Sequence, residues 1–594
     1  MPRNPLLSEE VAKEHFNHLA HTEPNEGNSP DWKPPHRVRY SKKTSAQAEE
    51  MKPDVIIVGS GLGSLTTGSL LAQRGWKVLI LEQHDQAGGC LHTFEEKGYE
   101  FDVGLHYIGG MVGSRWSSLR KMYDAVTGGR VEWCKLDDPY DSAVCTGEYE
   151  DPADSIHFYG DYGRTERELK AKLTPEEAKQ VSSFFGSLNF TVVRMAGWLV
   201  AKCMPIWLRR TVGRVIELPS AGVLNVTTAD YMKNTLNITS SKVHGILTYL
   251  FGDYGLMPSV SSWAVHAVVF NHWRGGGFYP YGGSSALAMG ACEVIRQNGG
   301  LILVNSRVKR IVVENGKAVG VQMEKDGKVF RAKRIVSDVG ARNTFLRLLE
   351  PEDIVKVDKS FISELKQDEQ GNLDNKAGMA PSCALLNLFI GLDAPAEALG
   401  VPATNAWVVP GWDHEKNLEK FWADDAAELP VAFIGSNSAK DFSYEKRFGK
   451  NRGSIMVLAP VEYKWFKKWE ANRVHARGDD YDTLKAHWEE KLLKKLFQVY
   501  PKVKGHITYK DLGTPLSNNY YLGVNHGEVY GLTHSLDRCW KHRDVLSVHT
   551  DIPGLYLTGQ DLMTAGVSAA LMAGVMTVGA ISKPVLASHI HNLI

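Results

Sequence analysis

The stretch DVIIVGSGLGSLTTGSLLAQRGWKVLILE, residues 54–82, decides the fold. Its pattern predicts a buried strand, a tight glycine turn, a helix and a second strand, which together form the βαβ unit of a dinucleotide-binding domain. Gly59 permits the sharp turn and Gly61 lets the backbone approach a pyrophosphate, to which the helix starting near Leu62 presents unpaired N–H groups. Glu82 follows Gly59 by 23 residues, which suits an acid that binds the adenosine ribose.

The third glycine of the usual motif is replaced by Ser64, with Gly63 one position earlier. Serine is small enough to keep helix and strand close together, so the substitution weakens the motif only slightly. Gly63 and Ser64 therefore stay among the candidate cofactor-binding residues.

A second docking element lies near the end of the chain, in GLYLTGQDLMTAGVSAALMAGVMTVGAIS, residues 554–582. The pattern predicts a strand, a turn with Gly559 and Asp561, and a helix that starts near Gly566 and Val567. Another helix N-terminus facing phosphate, with an acid for ribityl hydroxyls, favours FAD over NAD because the flavin half needs its own docking element. The alternative is a C-terminal core helix preceded by a polar turn.

Residues 299–340 alternate apolar and polar side chains, with turns at Glu314-Asn315-Gly316 and Asp326-Gly327. This pattern predicts a β-meander that returns to a buried strand at Ile335-Val336, where Val308 would offer backbone groups to adenine. A hairpin region inserted between the two docking elements indicates a two-domain α/β flavoprotein with a discontinuous, Rossmann-like FAD-binding domain and a mixed α+β substrate domain. The expected division is a polar arm over 1–50, the FAD-binding domain over 50–125, 283–345 and 540–594, and the substrate domain over 126–282 and 346–539.

Composition limits the other possibilities. The 594 residues carry 68 basic and 68 acidic side chains, so the chain lacks the basic field of a nucleic-acid binder. Seven scattered cysteines without metal-ligand spacing are expected to be reduced thiols, and no metal is expected. No run of eighteen apolar residues occurs, so we expect no helix that spans a bilayer.

Three segments resemble the retinol saturase family, the all-trans-retinol 13,14-reductases, which is similar to carotenoid isomerases and phytoene desaturases. They are LEQHDQAGGCLHTFEEKGYEFDVGLHYIGG (81–110), FNHWRGGGFYPYGGSSALAMGA (270–291) and LYLTGQD (555–561). The resemblance extends from Asp54 to about Ser582 and implies an FAD oxidoreductase that acts on a conjugated polyene. It also implies peripheral association with the endoplasmic reticulum membrane, and it admits NAD or NADP as the electron source.

The sequence shows one further departure from the family and one contrast with a neighbouring class, the amine oxidases. The hydrophobic leader of vertebrate members is not seen, which leaves a cytoplasmic location open. Amine oxidases of this fold carry an arginine after the Gly-Gly pair, whereas Cys90 follows Gly88-Gly89 here. Backbone N–H groups and helix ends are therefore expected to hold the pyrophosphate, and Cys90 is interpreted as a packing residue in preference to a redox nucleophile.

Saturation of a double bond needs a proton donor as well as a hydride. In an apolar pocket, neutral Tyr or His tolerates desolvation better than an ionised carboxylate. Three stretches offer such groups, and the residues are His106, Tyr107, His272, Tyr279, Tyr281, Tyr520, Tyr521 and His526. We favour His106 and Tyr107 because Asp102 and Gly104 precede them on the loop expected to face the flavin; Tyr279 and Tyr281 are the next candidates. The alternative is that these groups only wall the cavity or hydrogen-bond the flavin edge.

The segment 188–216 is a candidate membrane contact. From Gln180 to Ile216 the chain has no acid, while five basic residues (Arg194, Lys202, Arg209, Arg210, Arg214) stand among large apolar ones that include Phe190, Trp198, Met204, Ile206 and Trp207. This composition is typical of an interfacial helix. A buried helix with snorkelling arginines explains it equally well.

The predicted function is FAD-dependent saturation of a double bond in a retinoid-like polyene, such as all-trans-retinol to 13,14-dihydroretinol. A redox-neutral isomerase of a carotenoid or polyunsaturated fatty acid is the alternative within enzymes, because both reactions begin with a polyene lying against the flavin. A carrier of hydrophobic ligands is the alternative from another class, and it would not need both flavin-docking elements.

Overall fold

The computed structural model describes residues 35–147, 155–367 and 378–582. In that part of the chain the strands are β1 Val55–Val58, β2 Val78–Leu81, β3 Thr93–Glu96, β4 Tyr99–Asp102, β5 Trp133–Lys135, β6 Asp141–Cys145, β7 Ile156–Phe158, β8 Phe278–Pro280, β9 Leu301–Leu303, β10 Val308–Glu314, β11 Lys317–Met323, β12 Val329–Arg331, β13 Arg334–Ser337, β14 Ala384–Leu392, β15 Asn405–Val409, β16 Ala432–Gly435, β17 Gly453–Val461, β18 Ile507–Gly513 and β19 Leu555–Leu557.

The α-helices of six or more residues are α1 Lys42–Met51, α2 Leu62–Ala72, α3 Ser118–Thr127, α4 Tyr162–Ala171, α5 Pro175–Arg194, α6 Ala196–Cys203, α7 Thr228–Asn234, α8 Ser241–Leu247, α9 Trp263–His272, α10 Ser285–Gln297, α11 Ala341–Leu346, α12 Lys359–Gln367, α13 His414–Ala423, α14 Asp479–Val499, α15 Pro515–Leu522 and α16 Val567–Ile581. Shorter helices cover Ile206–Leu208, Arg214–Ile216, Ala221–Leu224, Pro351–Ile354, Asn437–Lys440 and Tyr444–Phe448.

Five parallel strands form the sheet that carries the glycine turn, in the order β19-β13-β1-β2-β9. Val55 of β1 pairs with Val78 on one side and Arg334 on the other. All four residues of β1 are buried, as expected for a parallel strand covered on both faces. The strands come from three separated chain segments, and their carboxyl ends open onto the crevice where ligands bind in such sheets.

Helix α2 is buried along its whole length because small residues let its neighbours come close. A Cβ at Gly63 would lie 2.6 Å from the backbone nitrogen of Gly559, and one at Gly68 would lie 2.9 Å from Ile80 Cδ1. Gly63 therefore permits the approach of the second docking element.

The larger sheet has seven strands in the order β18-β14-β17-β16-β15-β6-β7, antiparallel except between β15 and β6. A hydrophobic core joins it to helices α5, α8 and α9, for example through Phe184, Leu247, Trp263 and Val457. Strands β10, β11 and β12 form the predicted meander, whose first turn places Gly316 at φ +73°.

Part of the predicted polar arm is folded onto the molecule. Tyr40 is 6% exposed, and its hydroxyl donates to Asp326 Oδ2 at 3.0 Å. Helix α1 follows it, with a capping box at Ser41. The sequence gives no apolar pattern for this helix because only Ser45 and Ala48 face inward. Residues 1–34 of the arm lie outside the described residues.

The expectation of no bilayer-length helix needs a correction. The helical stretch Pro175–Cys203 is long and apolar enough to cross a membrane by length and composition, and 44% of its most apolar window is buried inside the protein. The stretch contains no uninterrupted run of apolar residues because Arg194 and small polar residues divide it. By itself it is weak evidence for a membrane span.

Candidate cofactor and substrate site

The glycine turn holds Glu82 in place. Gly59 has a φ of +90°, a left-handed conformation that favours glycine. The Ser60 hydroxyl donates to Glu82 Oε2 at 2.5 Å and accepts the N–H of Gly88 at 3.0 Å. Glu82 is buried, and its other oxygen accepts the N–H of His84. The acid therefore stands fixed at the carboxyl end of β2, next to the turn.

Gly61 faces a narrow space between Gly89 and the Asp338 carboxyl. It is the N-cap of α2 and offers no side-chain cap to the helix. A Cβ at Gly61 would lie 2.8 Å from Asp338 Oδ2, and one at Gly89 would lie 3.2 Å from the Cα of Gly61. Side chains would fill this space, whereas a pyrophosphate bound by N–H groups fits it. The residues present thus match the dinucleotide half of FAD.

Asp338, which the sequence analysis missed, caps the same helix from the end of β13. Its Oδ2 accepts the N–H of Ser64 at 2.8 Å. Burial raises the pKa of this carboxyl to about 7, and the nearby Glu82 and Asp561 add to the rise against the hydrogen bonds from Ser64. The contact joins residues 274 positions apart, so no local pattern could have indicated it.

Asp561 of the second docking element holds the protein backbone. Its Oδ2 accepts the N–H of Ala341 at 2.7 Å and its Oδ1 accepts the N–H of Leu532 at 2.8 Å. The acid therefore ties three chain segments together, and a ribityl contact would have to use the remaining lone pairs. Gly566 precedes α16 with φ +86°, and the helix begins one residue later, at Val567.

One continuous cavity of about 1170 Å³ runs from the glycine turn into the larger sheet. Of the candidate cofactor residues, Gly59, Gly61, Glu82, Gly88, Gly89, Val308, Asp561, Gly566 and Val567 line it, while Gly63, Ser64 and Gly559 lie behind its wall. Its far part is apolar and is bounded by side chains such as Trp273, Trp407, Trp422 and Phe433. The volume exceeds the roughly 300–1,000 Å³ of a site for one drug-sized ligand. The cavity can therefore hold a dinucleotide and an apolar molecule together.

His106 and Tyr107 both line this cavity. Burial, helped by Lys440, lowers the pKa of His106 to about 3, so the imidazole is neutral at physiological pH. Its Nδ1 is buried without a hydrogen-bond partner in the described chain. The Tyr107 ring stacks on Trp273 with centroids 4.0 Å apart, and its hydroxyl donates to Asp141 Oδ2 at 3.0 Å. Burial raises the pKa of Tyr107 well above its usual value, which keeps the phenol protonated.

The other acid candidates are arranged differently. Tyr279 lies on β8, where pairing with β5 directs its hydroxyl to Asp102 Oδ1 at 2.6 Å. Neither Tyr279 nor Tyr281 lines the cavity, and Tyr520 and His526 also lie outside its wall. His272 and Tyr521 do line it, but His272 Nε2 is occupied by the N–H of Gly109 at 2.8 Å. The structure therefore brings His106 and Tyr107 together at the cavity and separates them from Tyr279 and Tyr281.

Charged groups behind His106 and Tyr107 were missed by the sequence analysis. The Lys440 ammonium donates to the carbonyl of His106 at 3.1 Å. Burial lowers the pKa of Lys440 to about 8 against the attraction of Asp102 and Asp141. Burial also raises the pKa of Asp141 to about 6, although Asn405, Tyr107, Tyr249 and Trp407 donate to it. These groups fix the loop that carries His106 and Tyr107.

Cys90 lines the cavity as a protonated thiol. Burial, with a contribution from Asp338, raises the pKa of Cys90 to about 11. A thiol rather than a thiolate is a poor nucleophile. This protonation state supports the interpretation of Cys90 as a packing residue.

The segment 188–216 combines exposed apolar side chains with the cavity wall. Arg209 is buried, 3.1 Å from Asp544 and 3.7 Å from Glu217, while Arg210 pairs with Asp551 and Arg214 with Asp544. Lys202 and Trp198 are buried as well. Most of the basic residues that were expected to contact lipid headgroups are therefore buried in the protein or form ion pairs with its own acidic side chains. The exposed large apolar side chains of the segment are Phe190, Val192, Val193, Val200, Trp207, Val212, Val215 and Ile216.

Comparison with known proteins identifies the fold class of this chain. Residues 57–126 match the NAD(P)-binding Rossmann-like domain. The fold is similar to that of an oxidoreductase from Methanosarcina mazei, with a TM-score of 0.56 at 14% identity over 88% of this chain and 98% of the other. A putrescine oxidase bound to putrescine gives a TM-score of 0.56 at 13% identity over 89% and 98%. The matched domain and the crevice at the carboxyl ends of the parallel strands define a dinucleotide-binding protein of Rossmann-like fold.

Proteins of similar sequence identify the family to which the chain belongs. The chain is 33% identical to the all-trans-retinol 13,14-reductase of Danio rerio over 89% of its length and 85% of the relative. It is 32% identical to the Homo sapiens protein of that name over 92% and 88%. A prolycopene isomerase of Arabidopsis thaliana is 26% identical over 90% and 83%. The chain belongs to the all-trans-retinol 13,14-reductase family, as its sequence motifs predict.

Proposed function

We propose that this oxidoreductase saturates one double bond of a retinoid-like polyene, with all-trans-retinol to 13,14-dihydroretinol as its reaction. The continuous cavity, with a dinucleotide-shaped end and an apolar end, is the observation that carries the proposal. An extended, uncharged polyene suits the apolar end because burial of its surface needs no compensating charge. The names of its relatives in fish and mammals support the same substrate.

The proposed cofactor is FAD, held by the residues named above as cofactor contacts. Backbone N–H groups around Gly61 and Gly89 would bind the pyrophosphate, Glu82 the adenosine ribose, and the start of α16 the flavin half. When bound in its reduced form, FAD supplies a hydride to the substrate. The proposed domain division assigns the sheet β19-β13-β1-β2-β9 to FAD and the seven-stranded sheet to the polyene.

Tyr107 or His106 is the proposed proton donor. Both face the cavity and both are neutral, so neither carries a charge into an apolar site. Asp141 accepts the Tyr107 hydrogen bond and orients its hydroxyl, while Lys440 holds the carbonyl of His106. A phenol proton lost to the substrate would have to be replaced from solvent before the next turnover, while the ionised Asp141 keeps the hydroxyl oriented.

The decisive experiment is a product mass measurement. All-trans-retinol is incubated without oxygen with the protein after its flavin has been reduced, and the products are separated and weighed. Saturation adds two hydrogen atoms to each molecule, and the flavin becomes oxidised once per turnover. Products of unchanged mass would overturn the proposal and favour isomerisation.

The isomerase alternative is kept because prolycopene isomerases are relatives over 90% of the chain. Isomerisation returns the electrons to the flavin, so catalytic flavin would suffice without a stoichiometric reductant. The carrier alternative requires no flavin. A purified protein without an oxidised-flavin absorption spectrum would favour it.

A peripheral contact with the endoplasmic reticulum membrane is proposed through the exposed apolar side chains of residues 188–216. Val192, Met195 and Leu199 of the same helices line the cavity. A polyene dissolved in a bilayer would thus enter between helices that already touch the membrane. Since the arginines of the segment mostly bind protein acids, apolar burial rather than charge is proposed to dominate the contact.

The electron source is a separate proposal. NADH or NADPH is proposed to reduce the flavin, on family resemblance alone. Anaerobic mixing of the flavoprotein with each nucleotide tests it, because flavin reduction bleaches the visible absorption. A flavin that stays oxidised with both nucleotides would assign the electrons to another donor.

A further inference from the structure

Asp253 is an acid on the cavity wall that the proposed reaction does not use. It follows helix α8 and lines the cavity beside Gly252 and Trp273. Its Oδ2 is buried and has no hydrogen-bond partner within residues 35–147, 155–367 and 378–582. The nearby indole N–H of Trp273 also lacks a hydrogen bond of good geometry there. The indole interacts with the carboxyl only weakly, and a buried carboxyl oxygen left open in this way costs free energy unless a ligand completes it.

The carboxyl is suited to donate as well as accept a hydrogen bond. Burial raises the pKa of Asp253 well above its usual value, and the negative Asp141 adds to the rise against the Trp273 indole. Burial and Asp141 both favour the neutral form of this acid, which has one O–H donor and further acceptor capacity. A hydroxyl group, which both donates and accepts, is its natural partner, whereas a hydrocarbon offers it nothing.

We propose that Asp253 is the residue that selects a polyene alcohol by binding its hydroxyl group. The inference rests on the proposed function and deepens it, because it distinguishes an alcohol such as retinol from a hydrocarbon carotenoid. A cavity lined by apolar side chains gains little discrimination between two chains that differ by one hydroxyl. A buried polar group that would be left unpaired by the wrong ligand supplies that discrimination.

The position of Asp253 agrees with the proposed chemistry. The Tyr107 ring stacks on Trp273 with centroids 4.0 Å apart, and Asp253 and Trp273 line the same part of the cavity, where Asp253 adds to the burial and Asp141 effects that raise the pKa of Tyr107. Burial also raises the pKa of Tyr530, and Asp253 adds to that rise. The Tyr530 hydroxyl donates to the carbonyl of Gly252, the residue before Asp253, at 3.0 Å. In retinol the carbon that bears the hydroxyl is bonded to C14. A hydroxyl held by Asp253 would therefore keep the 13,14 bond close to Tyr107.

The test compares two ligands that differ only at this group: all-trans-retinol and the hydrocarbon with CH₃ in place of CH₂OH. Binding to the protein with oxidised flavin is followed by polyene fluorescence, without a reductant and hence without turnover. Wild type, Asp253→Leu and Asp253→Asn are compared, with Asp482→Leu as the control because Asp482 is exposed on α14. Flavin content and melting temperature confirm that each variant is folded.

We expect Asp253→Leu to weaken retinol binding about tenfold, the size of one buried hydrogen bond. Hydrocarbon binding should be unchanged or tighter, and Asp253→Asn should retain most of the preference because an amide also donates and accepts. Equal losses for both ligands would assign Asp253 to cavity shape and overturn the inference. Equal binding of both ligands by wild type would overturn it while leaving a retinoid substrate intact. Failure of wild type to bind either ligand would overturn the proposed function and this inference together.

Discussion

At the scale of single residues, Gly61 is the position where a side chain conflicts most directly with the proposed cofactor. A Cβ there would lie 2.8 Å from Asp338 Oδ2, in the space assigned to the pyrophosphate. We therefore expect purified Gly61→Val to contain little flavin, measured as the ratio of visible to protein absorbance. Gly186→Val is the control, since nothing lies within 4 Å of a Cβ at that position. Full flavin occupancy in a folded Gly61→Val protein would contradict the assignment of the glycine turn.

Tyr107 and His106 can be separated from the neighbouring aromatic residues by activity. If one of them donates the proton, Tyr107→Phe or His106→Ala should slow product formation by about 10²-fold, the usual scale for a lost general acid. Flavin reduction by an external donor should be unaffected, because that step needs no proton transfer to the polyene. Tyr281→Phe, off the cavity wall, should stay near wild type. Equal rates for all three variants would assign proton donation elsewhere.

Asp338 predicts a pH dependence of cofactor affinity. Its folded-state pKa is raised to about 7, so the carboxyl is neutral below that pH and ionises above it. The ionised form repels a pyrophosphate at the same helix end, and FAD affinity should fall by at most about tenfold per pH unit above pH 7. The fluorescence of released flavin measures the dissociation constant, and Asp338→Asn should abolish the slope. A wild-type affinity that rises with pH would contradict this assignment.

Some residues of the site can be predicted from the sequence and others cannot. Gly59, Gly61 and Glu82 are recognisable because one βαβ unit brings them together within 29 residues. Asp338, Lys440 and Asp253 each depend on partners from other segments, as with the 334 positions between Lys440 and His106. Ordinary composition surrounds each of them, so only the folded chain reveals that each lines or supports the cavity.

At the scale of elements, periodicity predicted the parallel strands and the meander, because each buried strand carries its own apolar pattern. Composition left the arginines of residues 188–216 open between a headgroup contact and a buried helix, since a sequence free of acids does not show that Glu217, Asp544 and Asp551 fold back onto it. Arg209 is buried, so its substitution would disturb the fold and would not test a membrane contact.

Exposed apolar residues give the sharper test of that contact. Trp207 is 68% exposed and Val215 is 66% exposed. Each such side chain contributes roughly 1.5–3 kcal/mol when fully buried, so the double variant Trp207→Ser, Val215→Ser should bind liposomes at least about tenfold more weakly in flotation assays. Phe442→Ser is the matched control, because Phe442 is equally exposed outside the segment. Unchanged flotation of the double variant would show that the segment does not carry the contact.

At the scale of the whole molecule, the parallel sheet is assembled from β1 and β2, from β9 and β13, and from β19, which are far apart in the chain. The proposed FAD touches all three groups, so it should stabilise the native state as a ligand that the unfolded chain cannot bind. The expected gain is about 2.7 kcal/mol at a free concentration of 100 times the dissociation constant. The melting temperature of flavin-depleted protein should therefore rise with added FAD and saturate when visible absorption shows full occupancy.

Riboflavin is the control ligand, because it keeps the isoalloxazine ring but lacks the pyrophosphate and adenosine that the glycine turn and Glu82 are proposed to bind. At the same free concentration it should raise the melting temperature far less than FAD. Equal stabilisation by riboflavin would remove the glycine turn from the binding site. A melting temperature independent of both ligands would show that the native protein binds neither of them, and it would contradict the proposed cofactor.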